Sequence, residues 1–170
     1  GDSAFDDRVC DAAAALARAV TEEFGLIGVN GVDFVLRDGI PVTIEVNPRY
    51  SASMELAERA YGVPVFAVHA RACAGELPRF DLARARRRTA GVVGKAIVYA
   101  RRAVRPTRTE RWLADHTVRD VPRPGERIAR GRPICTVFAT GASAAACHAA
   151  LARRAARVYR AVEPARRNAV

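Results

Sequence analysis

Residues 31–47 constrain the fold of this chain more than any other stretch. Gly31-Val32-Asp33-Phe34-Val35-Leu36 and Val42-Thr43-Ile44-Glu45-Val46-Asn47 alternate apolar with polar residues, and Asp38-Gly39 lies between them. That pattern spells two antiparallel strands joined by a tight turn. Side chains alternate faces along a strand, so Val32, Phe34 and Leu36 share one face, as do Val42, Ile44 and Val46. In an unbroken ladder the two apolar faces coincide only when the numbers of paired residues sum to an even value. A turn centred on Asp38-Gly39-Ile40 meets that condition and sets Phe34 opposite Ile44. A two-residue Asp38-Gly39 turn, the usual choice for such a pair, slips the register by one and exposes half of the apolar set. The odd-length loop is therefore the expectation.

That register has a chemical consequence. Asp33 falls directly across from Glu45, with Asn47 and Arg49 following on the same face. Facing residues have Cβ atoms about 5 Å apart, and like charges so placed repel. Two carboxylates and a carbonyl oxygen, with no base between them, suit a hard divalent cation that completes its shell with water and phosphate oxygens.

The stretch from Gly25 to Pro78, GLIGVNGVDFVLRDGIPVTIEVNPRYSASMELAERAYGVPVFAVHARACAGELP, resembles the metal-binding C-terminal part of the ATP-grasp superfamily of ligases. The resemblance implies an α+β fold, an antiparallel sheet flanked by helices, with ATP as co-substrate. It implies Asp33, Glu45 and Asn47 as ligands of magnesium or manganese, and Arg49 as the catalytic group that stabilises an anionic substrate or acyl phosphate. Ser51 and Ser53, at the start of the next helix, join Arg49 as substrate-binding residues, where backbone N–H groups can receive an anion. Biotin carboxylase carries a glutamate for bicarbonate chemistry at the position of Ser53. Serine there points instead to a carboxylate–amine ligase that makes an amide through an acyl phosphate, in cofactor or small-molecule biosynthesis. The later segment DVPRPGERIARGRPICTVFATG resembles the small β domain of carboligase-like members related to biotin carboxylase. The expected organisation is thus an ATP-grasp subdomain over 1–80, and a small β-rich domain with a C-terminal helix over 81–170.

The nucleotide-gripping parts of that superfamily, with their lysines and glycine-rich flap, have no match here. Lys95 is the only lysine and sits in the β-rich half, away from the expected site. The chain therefore reads as the C-terminal portion of a longer protein, expected to bind ATP weakly or not at all when isolated. Two other classes stay open: a non-catalytic binding or scaffold module, and an Arg-rich nucleic-acid binder.

Charge bears on the last of these. Residues 1–80 carry 12 acidic and 7 basic residues, whereas residues 81–170 carry 6 and 21, and 27 of the 28 basic residues are arginine. The arginines are dispersed, and only Arg108, Arg111 and Trp112 form an aromatic-flanked group suited to base stacking, so nucleic acid is not the expected partner. No run of about 20 apolar residues suggests a membrane span. Cys10, Cys73, Cys135 and Cys147 lack CxxC spacing, which favours reduced, mostly buried thiols and a cytoplasmic setting. The oligomeric state, a homodimer among the options, is not legible.

The remaining elements follow from periodicity. A helix capped by Asp6 or Asp7 carries the stripe Val9, Ala13, Leu16, Val20 and Phe24, and ends at Gly25. Further helices are expected over Met54–Tyr61 and about Val65–Ala74, the latter packed behind the sheet. Glu55 and Glu58 are assigned to a solvated helix face, and His69 to the core as a satisfied histidine. The Pro78–Arg88 stretch reads as a linker. Strands are expected over Gly91–Ala100 and around Val137–Ala139, with turns at Asp120–Gly125 and Gly131–Ile134 between them. A last helix over about Ser143–Val162 presents Cys147, Leu151, Ala155, Val158 and Val162 on one side.

Overall fold

A computed structural model describes residues 3–77, 80, 81, 84, 85, 87 and 91–162. The chain divides into two compact units, Gly1–Arg86 and Arg87–Val170. The linker assigned to Pro78–Arg88 lies largely outside the described residues.

The first unit opens with α1 (Ser3–Glu23). The helix begins before Asp6 and Asp7, so neither is its cap. Val9, Ala13, Leu16 and Val20 are half-buried, while Phe24 lies past the helix end and is exposed. Gly25 stops the helix at φ 56°, a left-handed conformation that glycine adopts without a Cβ penalty. Strands β1 (Gly31–Arg37) and β2 (Ile40–Asn47) then form a two-stranded antiparallel sheet, with α1 against β2.

Helix α2 (Met54–Tyr61) ends on Gly62 in the left-handed region, whose N–H caps the Glu58 carbonyl at 2.9 Å. Pro64 precedes α3 (Val65–Cys73). This third helix packs on α2 and on the Gly28–Val29 turn rather than behind the sheet, the layer α1 occupies. His69 explains the difference. Its Nδ1 accepts the Val29 N–H at 3.0 Å, and an added Cβ at Gly28 would lie 2.5 Å from that nitrogen. The histidine is half-buried and satisfied, as its apolar setting suggests.

The second unit holds β3 (Val92–Tyr99), the single-turn helix α4 (Glu110–Leu113), β4 (Val118–Arg119), β5 (Pro133–Gly141) and α5 (Ala144–Val162). The sheet order is β3-β5-β4, all antiparallel, and α5 lies across β5 and β3. The strand β5 starts at Pro133, so the turn expected over Gly131–Ile134 is half strand. Six consecutive residues, Ile134 to Ala139, are buried, the mark of a central strand covered on both faces. Val98, Cys135 and Val137 meet Val158 and Val162 of α5 in one core, with Leu151 and Ala155 against its edge. Helix and sheet approach closely at two glycines. A Cβ at Gly94 would reach Cys147 Sγ at 2.7 Å, and one at Gly141 would run into the Cys147 backbone nitrogen. Burial pushes the Cys135 thiol up to about 12, with the Asp120 charge adding to the effect. All four cysteines are free, but Cys10 and Cys73 are exposed, against the expectation of mostly buried thiols. Among the described residues no helix is long and apolar enough to cross a membrane.

Candidate metal centre

The hairpin turn corrects the expected register in an instructive way. Arg37 pairs with Ile40, so the connection is the two-residue Asp38-Gly39 turn after all. Both residues have positive φ, 52° and 78°, as a type I′ turn requires, and its twist matches that of the strands. Phe34 therefore faces Thr43, not Ile44. The ladder then shifts by one between Asp33 and Phe34, leaving Ile44 as the extra residue of a β-bulge. Beyond the bulge Asp33 faces Glu45, Val32 faces Val46 and Gly31 faces Asn47. The parity rule assumed an unbroken ladder. The chain instead satisfies the turn chemistry at one end and the facing carboxylates at the other, and the bulge absorbs the difference.

The buried apolar face that motivated the odd-length loop is not observed. Ile44 is 66% exposed, Leu36 45% and Val42 45%. Asp33 and Glu45 are exposed, while Asn47, at the foot of β2, is buried. The Asn47 amide Nδ2 donates to Asp33 Oδ2 at 3.3 Å. Among the described residues no three His, Cys, Asp or Glu side chains cluster. The donor set on this face is two carboxylates and one neutral amide.

Beyond Asn47 the chain turns through Pro48 and Arg49, with the Arg49 N–H on the Asn47 carbonyl at 2.8 Å. The exposed Arg49 side chain donates from Nη1 to the Tyr50 carbonyl at 3.1 Å. Ser51 returns to the strands: an added Cβ at Gly31 would lie 3.3 Å from Ser51 Oγ and 3.7 Å from Asn47 Cβ. The Ser51 and Ser53 hydroxyls are hydrogen-bonded at 2.9 Å. At the start of α2 the Met54 and Leu56 N–H groups donate to the carbonyls of Ser51 and Ser53. Asp33 thus faces Glu45 and accepts from Asn47, Ser51 lies beside Gly31 at the foot of the hairpin, Ser53 is tied to Ser51, and Arg49 is directed along its own loop.

Two residues that hold this loop carry no signal in the sequence. Tyr50 donates its hydroxyl to Glu58 Oε2 at 3.0 Å, and Glu58 Oε1 accepts the Val65 N–H at 3.0 Å. Glu58 therefore anchors the Arg49–Ser53 loop and the first turn of α3 together. Partial burial, the Glu58 hydrogen bond, and the negative charges of Glu58 and Glu55 push the Tyr50 hydroxyl up to about 12. Glu55 is paired too, in a salt bridge with Arg59 at 2.8 Å. Both glutamates are half-buried, which corrects their assignment to a solvated face.

Comparison with known proteins bears on the same hairpin. Residues 3–53 match the family described as ATP-grasp domain. Two curated relatives, the carbamoyl phosphate synthase large chains of Neisseria meningitidis serogroups A and B, are each 38% identical over 58 residues. That alignment covers 34% of this chain and only 5% of theirs. A solved single-chain, multi-domain long-chain acyl-CoA carboxylase superposes on 89% of this chain and 18% of its own, with a TM-score of 0.51 at 20% identity. Residues 3–53 thus resemble the ATP-grasp domain, and the architecture of antiparallel sheets with flanking helices is α+β, as expected.

Proposed function

We propose, from the match of residues 3–53 to the ATP-grasp domain, that this chain forms the metal-binding part of an ATP-dependent carboxylate–amine ligase working in the cytoplasm. The observation that carries the reading is the Asp33–Glu45 pair, set face to face by the bulge at Ile44. A structural sheet gains nothing from two acids in that position, whereas magnesium or manganese takes such oxygens directly. Asp33, Glu45 and Asn47 are the ligands. The amide of Asn47 now offers Nδ2 to Asp33, and turning it over presents Oδ1 instead.

The reaction class follows from what a carboxylate needs. Its oxygen leaves only after phosphorylation, so the γ-phosphoryl of ATP passes to the substrate carboxylate, with ADP departing. An amine then attacks the acyl carbon, and phosphate leaves as the amide forms. A divalent cation held by Asp33, Glu45 and Asn47 would supply charge neutralisation for the phosphates. Arg49, released from the Tyr50 carbonyl, offers its planar fork to the anionic oxygens of substrate or acyl phosphate. The Ser51 and Ser53 hydroxyls line the approach to the same face and orient the substrate. Tyr50 and Glu58 keep that loop in place.

The test is paramagnetic. Titrating the chain with Mn2+ should broaden the backbone amide resonances of Asp33, Glu45 and Asn47 first, at concentrations that leave the second unit untouched. Glu45→Gln should weaken that effect about tenfold or more, since it removes one of two charged ligands. Uniform broadening, or an unchanged profile in Glu45→Gln, would overturn the metal assignment and favour a non-catalytic module.

A further inference from the structure

The second unit contains a cavity of about 190 Å³ between Trp112 and α5, built from residues with no part in the proposed ligase chemistry. Its floor is core: Val118, Val137 and Val158 are 9%, 1% and 6% exposed. The half-buried indole of Trp112 forms one wall. The rim is charged, with Arg154 and Arg157 from α5 and Asp115 from the segment after α4. A cavity with an apolar floor and a cationic rim is chemically asymmetric, and the asymmetry specifies a ligand.

The rim is also pre-arranged. Asp115 Oδ1 accepts both the backbone N–H and the hydroxyl of Thr117, at 2.9 and 2.6 Å, and Arg154 Nη1 donates to the same Thr117 hydroxyl oxygen. The Thr117 bonds hold the Asp115 carboxyl below its ordinary range, so it stays ionised and committed to Thr117. Arg154 is oriented by the Thr117 hydroxyl and its charge helps to hold Asp115 ionised, but among the described residues it makes no direct ion pair. Arg157 is exposed on the same side of the helix, one residue before the buried Val158. The rim thus holds two guanidinium groups against one carboxylate, whose Oδ1 is taken by Thr117.

We propose that this cavity is a binding site for a small carboxylate with a flat apolar body, its body on the valine floor against Trp112 and its carboxylate on Arg154 and Arg157. A planar guanidinium fork matches a carboxylate in shape and charge. The indole face favours a flat, apolar partner. The volume lies below the roughly 300–1,000 Å³ of pockets for drug-sized ligands, so the ligand is small. A bare anion leaves the floor unfilled, and a neutral aromatic leaves the arginines unused. The site stands within the second unit whether or not the ligase reading holds.

Trp112 is the only tryptophan of the chain, so its emission reports on the cavity directly. The experiment titrates the full chain with 3-phenylpropanoate, 3-phenylpropanamide and acetate, exciting the indole alone. The expected result is a saturable change with 3-phenylpropanoate and at least tenfold weaker responses to the other two. Arg157→Gln, at an exposed position that leaves the Thr117 network intact, should weaken 3-phenylpropanoate about tenfold. Arg154→Gln should weaken it further. Absence of saturation, equal binding of the amide, or full retention in Arg157→Gln would each overturn the assignment.

Discussion

Two antiparallel strand pairs in this chain achieve order by opposite means. In the second unit β5 lies between neighbours on both edges and is buried for six residues running, so side-chain packing specifies it. In the first unit the β1–β2 hairpin has two strands only, and apolar side chains on both faces reach solvent. Its register is set instead by a two-residue turn, a bulge and the main-chain ladder. The contrast shows what each sheet is sensitive to. Loss of volume should damage the packed strand, whereas changes in backbone geometry and charge should damage the hairpin.

The largest effect should come from Phe138→Ala, which removes one of the most deeply buried side chains and should cost about 3–5 kcal/mol. Denaturant melts followed through Trp112 will measure it. Phe34→Ala in the hairpin should cost under about 1 kcal/mol, and a loss equal to that of Phe138→Ala would erase the contrast. Next comes Gly28→Ala. At φ 82°, with the new Cβ against His69, it should cost the first unit about 1–2 kcal/mol, visible as faster amide exchange at Val29.

A smaller effect of opposite sign is expected from Glu45→Thr. Removing one of the facing charges should stabilise the hairpin by about 0.2–1 kcal/mol in metal-free buffer. Added magnesium should then raise the melting temperature of the parent chain and leave the variant unchanged. The smallest effect concerns Tyr50, whose hydroxyl stands at about 12 against 10.0 for an unperturbed tyrosine. The folded chain holds this proton more tightly than the unfolded chain. Its contribution is therefore complete below pH 10 and fades as the pH climbs from 10 towards 12. Melting temperatures across that window should fall more steeply for the parent chain than for Tyr50→Phe.

Legibility in the sequence follows the same division. Helix α5 was readable because Cys147, Leu151, Ala155, Val158 and Val162 keep one period for the whole length of the element. The facing of Asp33 and Glu45 was readable too, although through a turn of the wrong length. Side-chain alternation reveals the parity of a pairing but not where an extra residue is inserted, so Ile44 looked like an ordinary strand position. The Tyr50–Glu58 contact was hidden because it joins a loop to a helix eight residues on, a spacing no regular element repeats. Trp112 stands out in the sequence only beside Arg108 and Arg111, and Val137 only as a strand residue, since the folded second unit alone brings them and Arg154 to one cavity.

The bulge at Ile44 also separates two design problems that a plain hairpin would couple. Without it, lengthening the turn by one residue moves every ligand to the opposite side of the ribbon. With it, the strand can surrender or acquire a single unpaired position and leave the carboxylates in phase. Deleting Ile44 should therefore leave an unbroken ladder that keeps the Asp38-Gly39 turn and still sets Asp33 across from Glu45. The tip of this hairpin is thus free to vary in length while its base keeps its chemistry.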